Sequence, residues 1–182
     1  ISYKDIAPWY DYVESYIGDV FWILGDSDEN IDSISEIDLI DTHWVTPLCC
    51  DTDAIEIDWE SYRQDLKNYI ATIHNFGKKF SCHTFPGFQE EKLLRSDPPR
   101  TLIRDAGYTL KHQLEIAREE NVDYIIISSF NDWCENTNIE AGWDFEDYDG
   151  DPYQYLKIVA DFTGTEFIAP PLPPKVYVDE LL

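Results

Sequence analysis

Residues 124–130 read YIIISSF, and the chain continues through residue 142 as NDWCENTNIEAG. The first stretch holds three consecutive isoleucines, Ile125, Ile126 and Ile127. Branched side chains in a run of this length suit a strand. Unbroken hydrophobicity suits a strand covered on both faces, as in a parallel sheet. The densest polar cluster of the chain follows at once. In parallel α/β folds the loops after the strand C-termini carry ligands, because those loops vary while the sheet stays fixed. The run and the cluster together set the fold class and the place to look for chemistry.

Working back from residue 124, a helix to about residue 120 is introduced by RSDPPR at 95–100, with Ile103, Ala106, Leu110, Leu114 and Ala117 facing inward. Before it lies a strand, KFSCHTFPGF at 79–88. The clearest helix spans 59–76, with Trp59, Tyr62, Leu66, Tyr69, Ile70, Ile73 and Phe76 on one face, Asp58 as cap and Gly77 as stop. Two further strands precede it, DLIDTHWVTPL at 38–48 and VFWILGD at 20–26, joined by an acidic connection with a short helical turn near 31–37. A first helix starts near Pro8, buries Trp9, Val13, Tyr16 and Ile17, and ends at Gly18. Downstream, Asp151 and Pro152 open a last helix that Gly164 terminates.

Strands alternating with helices of this length mean parallel βαβ units. About four such units predict half of a (β/α)8 TIM barrel, since a whole one needs roughly 250 residues. Residues 1–164 are expected to form this partial domain, and 165–182, which contains APPLPPK, a proline-rich arm or linker. The absence of Met from all 182 residues also favours a fragment.

The chain carries 37 acidic against 13 basic residues, a net charge of −24. Such a surface repels nucleic-acid phosphates and anionic membranes, so neither is an expected partner. No run of 18 apolar residues is present to span a bilayer. A neutral sugar meets no such repulsion. Six Trp and twelve Tyr are compatible with sugar stacking, although core packing explains most single rings. Cys49, Cys50, Cys82 and Cys134 form no CxxC pair, which leaves the redox compartment open.

Within the polar cluster Asp132 and Glu135 are three residues apart, an interval that on a tight turn aims two carboxylates into one cleft. Glycosidic cleavage needs such a pair, one group protonating the departing oxygen and the other acting as base or nucleophile. The same spacing also serves simple capping of a solvated turn.

The segment FNDWCENTNIE resembles the FNEWxEGTxIE signature of glycoside hydrolase family 99 and its relatives, which include endo-α-mannosidases, mannanases and polysaccharide-biosynthesis-associated homologues. FPGF at 85–88 resembles the PGY turn that ends the preceding barrel strand there, and DPYQYLKIVADF resembles the closing PYxYLxLT helix. Together these cover about residues 80–164 and imply the C-terminal half of the barrel. The resemblance implies that Glu135 is the general acid/base. It implies that Asp132 is the base that draws a proton from the sugar 2-hydroxyl, whose oxygen then displaces the leaving group. Two positions depart from the signature: Asp132 is one methylene shorter than its glutamate, and Asn136 stands where it has glycine.

The expected function is therefore a retaining glycoside hydrolase acting on α-mannoside-type or related polysaccharide. The alternatives are a non-catalytic or transfer-type carbohydrate protein, or a structural half-barrel needing a partner chain. Asn131, Trp133 and Glu140 are expected to bind substrate, as are His43 and Trp44 late in the second strand and Phe88 after the third. A metal site from His43, His83 and Glu135 has no supporting HxH or HExxH spacing. The acidic loop at 144–152 fails the calcium pattern, because Phe145 and Leu156 fall where acids are required. No cofactor or metal is expected. The partners expected are a carbohydrate substrate and the missing N-terminal half of the barrel.

Overall fold

The computed structural model describes residues 3–25, 37–42, 57–89, 101–142 and 150–172. Strands β1 (Ile23–Gly25), β2 (Leu39–Thr42), β3 (Lys79–Thr84) and β6 (Tyr124–Ile127) form one sheet in the order β1-β2-β3-β6. β1 pairs with β2, and β2 with β3, in parallel. Helices α1 (Tyr3–Ile17), α2 (Trp59–Asn75), α3 (Tyr108–Glu119) and α4 (Gln154–Thr163) alternate with these strands. This is a parallel sheet with alternating strands and helices, a partial TIM-barrel-like α/β fold, as expected.

The chain divides into two compact units, described one at a time. The first comprises residues 1–48, 58–83 and 116–126. Its core lies between α2 and one face of the sheet. Tyr62, Leu66, Ile70 and Ile73 of α2 are buried, as are Ile40, Phe80 and Cys82 of the strands. The Tyr69 ring meets Phe80 edge-on at 5.4 Å, and the Tyr62 hydroxyl lies 3.8 Å from the Cys82 sulfur. Asp58 caps α2 by accepting the Ser61 N–H at 3.0 Å, and Gly77 ends it at φ +70°, both as the residue types predict.

Burial pushes the Cys82 thiol up to about 11, against the lowering effect of its contact with Tyr62. At neutral pH almost none of it is thiolate, which is the reactive form. Iodoacetamide applied to the native chain should therefore spare Cys82 while modifying the exposed Cys134. Peptide mass mapping that finds both labelled at similar rates would contradict this burial.

Among the described residues the opposite face of the sheet is partly open, although Leu39 and Ser81 on it are buried. Phe21, Ile23, Leu39, Ser81, Tyr124, Ile125 and Ile126 line an open groove of about 350 Å³. Phe21 is 48% exposed, Ile23 59%, Tyr124 45% and Ile126 38%. This corrects the expectation that the strand at 124–130 is covered on both sides. It also ends as a strand at Ile127. α1 is corrected too, because it begins at Tyr3 rather than near Pro8, and Trp9, Tyr16 and Ile17 are exposed. Tyr10 is the buried ring instead, packed edge-on against Trp22 at 4.4 Å, while Trp22 Nε1 donates to Glu14 at 2.8 Å. Helical spacing identifies a stripe but cannot say which stripe finds a partner. Phe76, placed on the apolar face of its helix by spacing, lies past the end of α2 and is exposed.

The second unit comprises residues 49–57, 84–115 and 127–182. Here the strand expected over 79–88 breaks after Thr84, turns through Phe85–Gly87, and pairs again as β4 (Phe88–Gln89) antiparallel to β5 (Thr101–Leu102). The helix expected from about residue 101 starts only at Tyr108. Asp105, Ala106 and Gly107 have φ of +46°, +48° and +87° in a short 3-10 turn, a conformation that interrupts an α-helix. Ile103 and Ala106 consequently face solvent, whereas Leu110 and Leu114 are buried as expected. α4 ends at Gly164 with φ +67°, and Asp151 precedes it, accepting the Tyr153 N–H at 3.0 Å. The start of the proline-rich segment touches this helix region, since the Tyr153 hydroxyl donates to the Pro170 carbonyl at 2.8 Å.

Candidate active site

The polar cluster after β6 is a knotted loop within the second unit. The Ser129 N–H donates to the Thr137 carbonyl at 2.8 Å, and the Ser129 and Thr137 hydroxyls meet at 3.0 Å. Across the same neck Ile139 N–H bonds the Ser129 and Phe130 carbonyls, and Glu140 N–H bonds Phe130 at 2.8 Å. The Ser128–Ser129 peptide is cis. These bonds close residues 130–138 into one turn that carries both candidate carboxylates.

Asp132 organises that turn. Its Oδ1 accepts the backbone N–H groups of Cys134 and Glu135, each at 3.0 Å, while its own N–H donates to the Ser129 hydroxyl at 2.9 Å. The capping reading of this residue is therefore realised in the geometry. Its Oδ2 has no hydrogen-bond partner among the described residues. Asn136 follows at φ +54°, in the left-handed region that glycine occupies most easily and asparagine next. That preference accounts physically for asparagine at the position where the resembled signature has glycine. The Glu135 carbonyl is held in turn by the Gln89 N–H at 2.8 Å, which ties the turn to β4.

Of the other expected site residues, Trp133 and Glu140 are brought together, the indole Nε1 donating to Glu140 Oε2 at 3.0 Å. Asn131 is exposed at the tip. Phe88 is buried opposite Leu102, which leaves its ring little surface for a sugar face. His43 and Trp44 lie outside the described residues, as does the acidic loop at 144–149. Among the described residues no group of three His, Cys, Asp or Glu side chains is arranged to hold a metal ion. No helix of the described residues is long and apolar enough to cross a membrane.

Sequence reading missed two polar constellations. In the second unit, Arg104 is only 2% exposed and surrounds itself with acceptors, Asn136, Asn138 and Tyr155, the last two fully buried. In the first unit, His83 Nε2 lies 2.9 Å and 3.0 Å from the two carboxylate oxygens of Asp41, which also accepts the Ser81 hydroxyl. Alternation along β2 and β3 carried a signal for the latter. Asp41 and Ser81 are register partners, and His83 lies two residues beyond Ser81 on the same face. No periodicity announces Arg104.

A parallel sheet of strands alternating with helices defines the class as a partial TIM-barrel-like α/β fold. Among solved structures the chain is similar to the glycoside hydrolase family 99 endo-α-mannosidase from Bacteroides thetaiotaomicron, with 20% identity and a TM-score of 0.57 over 81% of this chain. A second structure of that description, in complex with bis-tris propane, gives 20% identity and a TM-score of 0.56 over the same share. The chain spans 45% and 48% of those two chains, under half their length. The agreement in fold is with part of a barrel, as the motif order implies. No protein-family model and no curated protein matches the chain.

Proposed function

We propose that this chain supplies the catalytic carboxylates of a retaining glycosidase acting on α-mannoside-type or related polysaccharide linkages. The observation that carries the reading is the turn after β6. One carboxylate of the pair is oriented by two backbone N–H groups and keeps one oxygen without a hydrogen-bond partner among the described residues. The other sits three residues on in the same closed loop. Two groups on one rigid turn hold a fixed relation to each other, which proton transfer across a bound sugar requires.

In this mechanism Asp132 Oδ2 takes the proton of the sugar 2-hydroxyl, and that oxygen forms a bond to the anomeric carbon. Glu135 gives its proton to the departing glycosidic oxygen as the old bond breaks. Glu135 then removes a proton from water as the water attacks the anomeric carbon. The bond from the 2-oxygen to the anomeric carbon breaks, and that oxygen recovers its proton from Asp132 as the 2-hydroxyl. Two displacements give net retention without a covalent enzyme adduct, outside the usual two-carboxylate template. Trp133, Asn131 and Glu140 would line the reacting sugar. His43, Trp44 and Phe88 are further candidate contacts of the sugar.

The test is the stereochemistry of release. Proton NMR of the first product, taken before mutarotation, should show the anomeric configuration of the substrate. The sample is the chain joined to the complementary half of a barrel. Inversion would remove the mechanism. The capping role of Asp132 also favours a second reading, a sugar-binding loop without chemistry. Calorimetric binding of an oligosaccharide with no product released would assign that role instead.

A further inference from the structure

The Arg104 side chain is a buried cation surrounded by the loop that carries Glu135. Its Nη1 donates to the Asn136 backbone carbonyl at 3.0 Å and to Asn136 Oδ1 at 3.1 Å. Its Nη2 donates to the Asn138 carbonyl at 2.6 Å, with Asn138 Oδ1 3.4 Å from Nη1. Behind the loop, Nε donates to the Tyr155 hydroxyl at 3.0 Å, and the guanidinium carbon lies 4.1 Å from the centre of that ring. Tyr155 comes from α4 and is fully buried, so the fork rests on a fixed wall.

On its other side the Arg104 stem runs past Gly87. A Cβ built on Gly87 would stand 2.3 Å from Arg104 Cγ and 3.1 Å from the Leu102 carbonyl oxygen. A side chain there could not coexist with this arginine conformation. The residue after that glycine begins β4, whose Gln89 N–H holds the Glu135 carbonyl. Arg104 thus grips the loop directly at the two residues flanking Thr137. It is also wedged against the segment that grips the loop at Glu135.

We propose that Arg104 is the positioning residue of the candidate active site, fixing the peptide that follows Glu135 and so the direction of that carboxylate. The proposal deepens the glycosidase reading and rests on it for its catalytic consequence, although the positioning itself does not. The planar fork reaches two carbonyls, the Asn136 side-chain oxygen and a phenol at once, with Asn138 Oδ1 at the edge of range. A lysine ammonium has three donors and no fork, so Arg104→Lys keeps the charge and loses the geometry.

Two measurements separate the parts. In the chain joined to a complementary half-barrel, amide hydrogen exchange at Glu135 and Thr137 should quicken about tenfold or more in Arg104→Lys. Exchange in α2 should stay unchanged. Equal rates at the turn, or quickening everywhere, overturns the positioning role. Gly87→Ala, which keeps the guanidinium but displaces its stem, should quicken the same amides and serves if the lysine variant fails to fold. In the chain joined to a complementary half-barrel, Arg104→Lys should lower kcat for a poor leaving group far more than for an activated aryl glycoside, with KM little changed. A loss blind to the leaving group in Arg104→Lys, beside a selective loss in Glu135→Gln, sinks the catalytic consequence of this proposal alone. A blind loss in Glu135→Gln as well removes the glycosidase reading, while the exchange result still stands or falls by itself.

Discussion

Glu135→Gln is expected to lower hydrolysis of an unactivated glycoside by about 10³-fold in a chain completed with the other half of a barrel. Positioned acid–base groups contribute roughly 10²- to 10⁴-fold, and an alkoxide leaving group needs the proton most. Glutamine keeps the shape of the side chain and its place in the turn, where Glu135 is held through backbone groups: its N–H by Asp132 and its carbonyl by Gln89. An aryl glycoside whose leaving group is stable as an anion should lose little in the first displacement. Near-equal losses for the two substrates would show that Glu135 does not donate the proton. Undiminished release of sugar would remove it from the mechanism entirely.

The 182-residue chain alone should be inactive, and four complementary βα units supplied in trans should restore both solubility and hydrolysis. The physical ground is the open apolar groove of the first unit. Phe21, Ile23, Tyr124 and Ile126 expose apolar surface along one side of the sheet, and Trp9, Tyr16 and Ile17 do so along α1. β1 and β6 are the outer strands of the sheet order, with backbone groups suited to pairing. An open apolar groove beside the outer strands of a sheet suits packing against another sheet and its helices. A half-barrel of parallel strands with an apolar inner face fits both features. Sedimentation should find the chain self-associated or aggregated alone, and in a one-to-one complex when its complement is present. A stable 21.3 kDa monomer that cleaves polysaccharide unaided would overturn both the half-barrel assembly and the division of the site.

Much of the fold is local information. The 59–75 helix follows from apolar spacing, an aspartate cap and a glycine stop, all of which act within a few residues. The strand at 124–127 follows from three branched residues in a row, and the turn after it from a polar cluster that no strand could absorb. The carboxylate spacing of Asp132 and Glu135 is likewise a property of the chain, whereas the groups that hold the turn from outside, Gln89 and Arg104, are not. Even the left-handed Asn136 is foreshadowed, since its position in the resembled signature belongs to glycine.

What tertiary structure alone decided is which of two plausible faces is covered and which polar groups are gathered. Trp9, Tyr16 and Ile17 have the spacing of a core stripe, yet Tyr10 is buried instead, because burial depends on what lies opposite. The helix anticipated from residue 101 yields to β5 and a turn with three positive φ values, since pairing with β4 captures Thr101 and Leu102 first. Arg104 reads in the sequence as an ordinary cation following two apolar residues, Leu102 and Ile103. Its acceptors lie 32, 34 and 51 residues away, at Asn136, Asn138 and Tyr155. Periodicity reports on neighbours along the chain and carries nothing about partners at that separation. A buried guanidinium is tolerable only where folding brings enough oxygen to it, and only the folded chain reveals that gathering.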